Sequence, residues 1–225
     1  MRTPTAVTAA VLTATAVLVL TACGGGDSGD SSGSDKISGA PAATTAPPVT
    51  TPAAAPIGAP PQIDPALKLP ADLKLTFGWS TPADHAQAMA LVTSADFIQA
   101  IDHGVVKQSV QGSSLTQYAS GAALDYANRY IQQYIDHGWS LTGTDRYYDP
   151  KVKLTAGGTA AQVTVCEDQS KIFGKVIKTG KVLTTPVDDS SYLSYSIVVA
   201  RLPTPTELWQ AQSITVKEKA LECKQ

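Results

Sequence analysis

The side chains best suited to acid–base chemistry are three histidines, His85, His103 and His137. Two of them stand in an identical tetrapeptide, Ile-Asp-His-Gly, at 101–104 and at 135–138. An Asp-His pair suits a general base, because the carboxylate orients the imidazole. The tetrapeptide also suits the end of a helix, where a cationic His is favoured and Gly adopts the left-handed cap. We favour the capping interpretation, with a first helix that can continue one turn past Gly104, and we expect His85 to be exposed in a first helical turn.

Acidic residues cluster at Glu167-Asp168 and at Asp188-Asp189, next to predicted strands. We interpret both pairs as solvated turn charges. The sequence contains no Gly-x-Ser-x-Gly elbow, no Ser-x-x-Lys motif, and no residue spacing typical of zinc or calcium sites. It therefore predicts no catalytic residue, no metal site and no cofactor.

The first 23 residues predict export. Arg2 is followed by a segment, 6–20, that is almost wholly apolar or Thr, and then by Leu-Thr-Ala-Cys ending at Cys23. This is the plan of a secretory signal, and the apolar stretch is shorter than the roughly twenty residues of a membrane span. The tetrapeptide resembles a bacterial lipobox, which implies a diacylglycerol thioether on Cys23. We expect residues 1–22 to be a lipoprotein signal peptide that leaves the protein anchored to the outer face of the cell membrane. The alternative is a plain signal peptide with a chance cysteine.

A linker is predicted over residues 23–66. The segment from Gly24 to Pro61 has no aromatic residue and few large aliphatic ones, so it cannot bury enough apolar surface to offset its ordering entropy. Its Gly/Ser/Asp-rich first part should be flexible and its Pro/Ala/Thr-rich second part stiffer. We expect a disordered spacer that holds a single folded domain, 67–225, away from the membrane.

The two remaining cysteines, Cys166 and Cys223, lie in a chain whose expected compartment permits disulfides. We predict that they bond to each other and tie the last strand to the sheet. The alternative is a reactive thiol or a metal-binding pair. Neither Cys-x-x-Cys spacing nor a nearby His supports that alternative.

Two helices are predicted at the start of the domain. Thr-Pro-Ala-Asp at 81–84 is a helix start signal with Thr81 as the cap, and apolar residues then recur every four positions to Val105. A second helix is expected over 115–136, with a break near Gly121. After it the apolar period changes to two, which predicts strands. They are expected near 151–154, 161–166, 171–178, 181–185, 192–201 and 208–219. Helices followed by an antiparallel meander predict an α+β fold with the helices on one face of the sheet.

Three segments, Gly-Thr-Asp-Arg-Tyr-Tyr at 143–148, Val-Cys-Glu-Asp-Gln-Ser-Lys at 165–171 and Thr-Gly-Lys at 179–181, stand between the helix pair and two long strands that include Trp209. This arrangement resembles the nuclear-transport-factor-two-like cone domains, a class that includes SnoaL and ketosteroid isomerase. More narrowly, it is similar to uncharacterised actinobacterial lipoproteins with such a domain behind a lipobox. The resemblance covers residues 70–225 and implies a curved sheet folded round helices, often with a conical pocket. It does not imply an activity, because this fold hosts isomerases, dehydratases, binding modules and scaffolds.

The resemblance also suggests which residues line such a pocket. Asp145, with Tyr147 or Tyr148, is the nearest polar set at a cone-like position. The candidate pocket residues are Trp139, Asp145, Tyr147, Tyr195 and Trp209. Aromatic residues in sheets usually pack in the core, which is the alternative interpretation.

The net charge of −2 gives no electrostatic footprint for nucleic acid. We expect a membrane-anchored, non-enzymatic module that binds a small apolar ligand or an envelope protein. One alternative is an isomerase- or dehydratase-like enzyme with Asp145 or His137 as base. Another is a purely structural envelope protein.

Overall fold

The computed structural model describes residues 55–111, 114–203 and 207–225. The predicted signal peptide, Cys23 and most of the predicted linker lie outside the described residues. Within the described part of the chain, no helix has both the length and the apolar character needed to cross a membrane.

The described elements follow the α+β order that the sequence predicts. The helices are α1 (His85–Lys107), α2 (Leu115–Tyr118) and α3 (Gly121–His137). The strands are β1 (Leu73–Phe77), β2 (Trp139–Leu154), β3 (Ala160–Val176), β4 (Val182–Leu183), β5 (Tyr192–Arg201) and β6 (Trp209–Lys217). Short 3₁₀ turns occupy Pro65–Leu67, Asp189–Ser191 and Leu221–Cys223.

The strands form one six-stranded mixed sheet in the order β1-β2-β3-β5-β6, and β4 pairs with the end of β3. All pairings are antiparallel except that of β1 with β2, which is parallel. The prediction of a purely antiparallel sheet is therefore wrong at one edge. The reason is the crossover, since three helices separate β1 from β2 and return the chain to run in the same direction.

Helix α1 is the centre of the core. Every residue from Ala88 to Val105 except Gln99 is buried, as expected of a helix that is apolar on most sides. The predicted cap at Thr81 is wrong, because the Asp84 side chain accepts the Gln87 N–H at 2.8 Å and caps the helix. The Thr81 hydroxyl instead donates to a backbone carbonyl in the preceding segment.

The two Ile-Asp-His-Gly segments have different structural roles. The second ends a helix as predicted, since α3 stops at His137 and Gly138 has the left-handed φ of 67°. The first, 101–104, lies inside α1, so its interpretation as a cap is wrong. That helix continues to Lys107 because the apolar face continues past Gly104, and the left-handed cap residue is Gln108.

The fold begins before residue 67, where the sequence analysis starts the domain. Ala55 is buried, and the Gly58 N–H donates to the Thr81 carbonyl at 2.9 Å. The Asp64 N–H donates to a carboxyl oxygen of Asp96 on α1 at 2.9 Å. Residues 55–66, assigned to the linker from composition, thus pack against the domain through backbone hydrogen bonds that composition does not reveal.

A disulfide joins Cys166 to Cys223, the pairing that the sequence predicts, with a Cα–Cα distance of 5.4 Å. The two cysteines form a small apolar cluster with Tyr148 and Ala220, against which Tyr192 packs. The Tyr148 hydroxyl also donates to the Cys223 carbonyl. The bridge therefore fixes the segment after β6 to the middle of the sheet.

Candidate functional site

A partly enclosed cavity of about 90 Å³ lies between α1, α3 and the strands β2, β3 and β5. Its acidic lining residues are Asp102, Asp145 and Glu167. Its aromatic lining consists mainly of Tyr126, Tyr130, Tyr134, Tyr147 and Tyr195. Aliphatic side chains from α1, β2 and β3 complete the wall, including Ile98, Ile101, Leu141 and Ile172. Acids and hydroxyls are unusual in an interior wall and mark a candidate functional site.

Asp145 and Glu167 meet at a tyrosine. The Tyr147 hydroxyl oxygen lies 2.9 Å from Asp145 Oδ2 and 3.0 Å from Glu167 Oε1. Asp145 and Tyr147 are two residues apart on β2 and share a face, and Tyr147 pairs with Glu167 across the ladder to β3. A register shift between Thr144 and Arg146 places Asp145 at an irregularity of β2, where its Oδ1 accepts the Arg146 N–H. The sheet thus places both carboxyl groups within hydrogen-bonding distance of the Tyr147 hydroxyl.

The geometry favours a proton on one of the two carboxyl groups. A tyrosine has one O–H and can donate to only one of the two carboxyl oxygens. The other contact is a hydrogen bond only if that carboxyl is protonated and donates to the tyrosine oxygen. The electrostatics agree, because burial and the nearby Glu167 charge raise the pKa of Asp145 well above its usual range. Burial also raises the pKa of Glu167. The two groups titrate as a pair.

Asp102 adds a third carboxyl from α1. It is 6% exposed, and burial together with the Asp145 charge raises its pKa well above the usual value. Its Oδ2 atom is buried and has no hydrogen-bond partner in the described structure, and the same holds for Glu167 Oε2. Leaving a buried polar atom without a partner costs about 1–3 kcal/mol. The two atoms belong to residues that line one cavity.

Three tyrosines of α3 form the opposite side of the cavity. Tyr126, Tyr130 and Tyr134 are spaced by four residues and therefore share one face of the helix. Successive rings lie 6.2 Å and 5.1 Å apart, and the hydroxyls of Tyr130 and Tyr134 are 3.3 Å apart. The latter two also line a second hollow of about 280 Å³, with Gln133, His137 and Trp139. The cavity and this outer hollow thus share the Tyr130–Tyr134 pair.

The structure brings together three of the five predicted pocket residues. Asp145, Tyr147 and Tyr195 line the cavity, and Trp139 lies in the outer hollow, where it stacks on His137 at 4.5 Å. Trp209 is 3% exposed and does not line the cavity, so its assignment is wrong. It packs into the core at the first position of β6.

Asp102 and Glu167 line the cavity but were not predicted as pocket residues from the sequence. The interpretation of Glu167 as a solvated turn charge is wrong, because β3 does not end at Cys166 but continues to Val176 and buries Glu167 to 3% exposure. Asp188 and Asp189 are exposed, as predicted. His85 is also exposed, and its ring pairs with Glu207 at 2.8 Å. Among the described residues, no group of His, Cys, Asp and Glu could hold a metal ion.

The comparisons with known proteins do not assign a family. No protein-family model and no curated protein sequence matches the chain. Among solved structures, the intermembrane-space region of the chloroplast protein ARC6 aligns with 61% of this chain and 99% of its own. The identity is 11% and the TM-score 0.37, values too low to support an argument about fold or function.

Proposed function

We propose that this protein is an extracytoplasmic lipoprotein, anchored through Cys23, whose folded domain binds a small ligand in the cavity. The lipobox-like tetrapeptide supports the anchor. The observation that carries the binding function is the pair of unpartnered carboxyl oxygens, Asp102 Oδ2 and Glu167 Oε2. A ligand with hydrogen-bond donors offers these atoms the partners that the described residues do not supply, which offsets the cost of burying them.

The lining sets the kind of ligand. The carboxyl and hydroxyl groups of the cavity lining favour a ligand with hydrogen-bond donors over the wholly apolar ligand that the sequence predicted. The volume of about 90 Å³ is smaller than the roughly 150 Å³ of an engineered cavity that holds benzene. Because benzene has six carbon atoms, scaling by volume leaves room in this cavity for about four non-hydrogen atoms of the ligand. The outer hollow of about 280 Å³ offers room for a larger remainder.

We assign the domain to the nuclear-transport-factor-two-like cones as part of this proposal. The helices-then-sheet order and a cavity between helices and sheet support the assignment. The parallel β1–β2 pairing adds a strand that the resemblance did not predict. The fold class alone gives no activity, so the binding function depends on the side chains of the cavity.

Acid–base catalysis is a second candidate function, and the shared hydroxyl of Tyr147 favours it. A carboxyl with a raised pKa beside an ionised one can supply an acid and a base at neutral pH. Asp145 and Glu167 form such a pair. On this alternative the cavity holds a substrate with an acidic C–H bond, the ionised carboxylate of the pair removes the proton, and the protonated carboxyl donates one to the substrate.

Saturation-transfer NMR on the full-length protein purified from membranes tests the binding function. The probes are propylammonium, acetone and acetate, which have four non-hydrogen atoms each and differ in charge. We expect a saturable signal from at least one probe. Ile172→Trp should abolish that signal by filling the cavity. The matched control Ile214→Trp, at a half-buried β6 position outside the cavity, should keep it.

Absence of a saturable signal from all three probes would refute the binding function, as would an undiminished signal from Ile172→Trp. The same samples in D₂O test catalysis, because a general base exchanges the methyl protons of acetone. Deuterium uptake above the buffer rate that is lost in Asp145→Asn would establish the second candidate.

A further inference from the structure

We infer that the cavity is built for a small organic cation, a primary amine bound as its ammonium. This inference rests on the proposed function, because it names the class of ligand that the cavity takes. Its basis is the placement of three buried carboxyl groups, one each on α1, β2 and β3, around one space walled mainly by tyrosines and aliphatic side chains.

The charges facing the cavity are all of one sign. Its described lining includes Asp102, Asp145 and Glu167 but no Lys, Arg or His. The contacts of Tyr147 with two carboxyl oxygens favour a proton on one of these carboxyl groups. A bound ammonium can neutralise the carboxylate charge in place of that proton. The carboxylic acid then loses its proton to solvent, and the carboxylate pairs with R–NH₃⁺.

The donors of an ammonium match the acceptors that lack partners. R–NH₃⁺ carries three N–H donors and no acceptor. Two of them suit Asp102 Oδ2 and Glu167 Oε2, which leaves one for a tyrosine hydroxyl. An alcohol of the same size has one donor, and a carboxylate ligand meets the like charge of the site. The cation is therefore the occupant that satisfies the most buried atoms.

The tyrosine rings provide the second attraction for a cation. A ring attracts a positive charge within about 6 Å of its face, more strongly where water is excluded. Tyr126, Tyr130 and Tyr134 present a ladder of rings along α3, and Tyr147 and Tyr195 lie edge to face at 6.0 Å in the sheet. Because Tyr130 and Tyr134 also line the outer hollow, a longer amine can extend past them towards Trp139.

Calorimetric titration of the full-length protein with propylammonium and with its neutral isostere propan-1-ol tests the inference. At pH 7 we expect propylammonium to bind at least tenfold more tightly. Asp102→Asn keeps the side-chain shape and should weaken propylammonium binding about tenfold or more, while the exposed helix variant Asp125→Asn leaves it unchanged. Circular dichroism verifies folding, and Glu167→Gln provides a second neutral variant if Asp102→Asn unfolds.

The pH dependence supplies an independent readout. The titratable groups facing the ligand are Asp102, Tyr126, Tyr130, Tyr134, Asp145, Tyr147, Glu167 and Tyr195. Protons compete with the ammonium for the carboxyls, whose pKa values burial raises. An alkylammonium stays charged to a pH of about 10. Propylammonium affinity should therefore increase between pH 5 and pH 8, with protons released to the buffer.

Equal binding of propan-1-ol, a flat pH profile, or full binding by Asp102→Asn would each overturn the inference. If acetone or acetate occupies the cavity and propylammonium does not, the ligand class is wrong while the binding function stands. If none of the probes binds, both proposals fail together.

Discussion

Asp96 is a buried carboxyl outside the candidate site, and its environment contributes to the pH dependence of stability. It is fully buried on α1, where its Oδ1 accepts the Asp64 N–H at 2.9 Å and its Oδ2 has no partner in the described structure. Burial raises its pKa to about 7. The Tyr118 hydroxyl donates to Asp64 Oδ2 at 2.8 Å, so this small network also attaches the segment before β1 to the helices.

Asp96→Asn should stabilise the protein at high pH. The native state favours the neutral acid, so its contribution is complete below the unfolded pKa of about 4 and is lost as pH rises through about 7. The amide stays neutral throughout. We expect the free energy of unfolding to increase by about 4 kcal/mol at pH 8, about 1.4 kcal/mol for each unit of the pKa difference, and by less than about 0.5 kcal/mol at pH 4.

Urea denaturation between pH 4 and pH 8 measures both values, and Asp125→Asn, at an exposed position of α3, is the control. If the free energy of unfolding of Asp96→Asn depends on pH in the same way as that of wild type over this range, the buried carboxyl does not titrate as described.

Part of the candidate site was predictable from single residues. Ala161, Val163 and Val165 are fully or almost fully buried at every second position, and Glu167 continues this period. That alternation was the available signal, but an acid after a strand has the same local pattern as a turn charge. Asp102 lies one helical turn after the buried residue Ile98, so the period of buried residues along the helix could equally have predicted that Asp102 is buried. Only packing shows that neither acid reaches solvent.

At the scale of elements, Gly143 allows β2 to lie between β1 and β3. Its φ is 107°, its N–H donates to the Asp72 carbonyl at 2.7 Å, and a Cβ would lie 2.1 Å from the Lys171 carbonyl oxygen. Such close approach of two backbones admits only glycine. The long strand that carries Asp145 thus depends on one residue without a side chain.

Gly143→Ala should lower the free energy of unfolding by about 3 kcal/mol, because a backbone oxygen must move. Gly138→Ala is the matched control, since Gly138 also has a positive φ but a Cβ there meets nothing within 4 Å. We expect about 1 kcal/mol for the control, the cost of the left-handed conformation alone. Urea denaturation of both variants measures the difference, and equal losses would contradict the steric role of Lys171.

Local sequence patterns predicted the helix and strand bounds that depend on residues close together in the chain. The break between α2 and α3 near Gly121 and the bounds of β5 are confirmed. The pairing of β1 with β2 was missed because Leu73 and Gly143 are about seventy residues apart and nothing local indicates the match. Long-range pairing also joins the expected strands at 161–166 and 171–178 into one strand, β3.

At the scale of the whole molecule, the disulfide and the predicted lipid anchor are expected to act independently of each other. The Cys166–Cys223 bridge closes a loop across 57 positions, which corresponds to about 4 kcal/mol in the chain-entropy model. Cys23 is predicted to carry the lipid. Two acyl chains anchor stably where one does not.

Cys23→Ala should release the protein from the membrane fraction, because the acylated residue is lost. The control is the Cys166→Ala/Cys223→Ala double variant, which should stay on the membrane but lose about 4 kcal/mol of stability. Intact mass and fractionation test both variants. Membrane retention of Cys23→Ala, or wild-type protein without diacylglyceryl mass, would contradict the anchor.

The parallel pairing of β1 imposes an order on folding. β2 and β3 are joined by a short turn, with the Thr155 N–H bonded to the Ala160 carbonyl at 2.9 Å, so this hairpin needs little loop closure. We expect β1 to add after the intervening helical segment has collapsed, because its partner residues on β2 are about seventy positions away. Until then the β2 edge exposes unpaired backbone groups to other chains. In the newly made protein, we therefore expect β1 to pair late and to protect residues 143–147 of β2 from pairing with other chains.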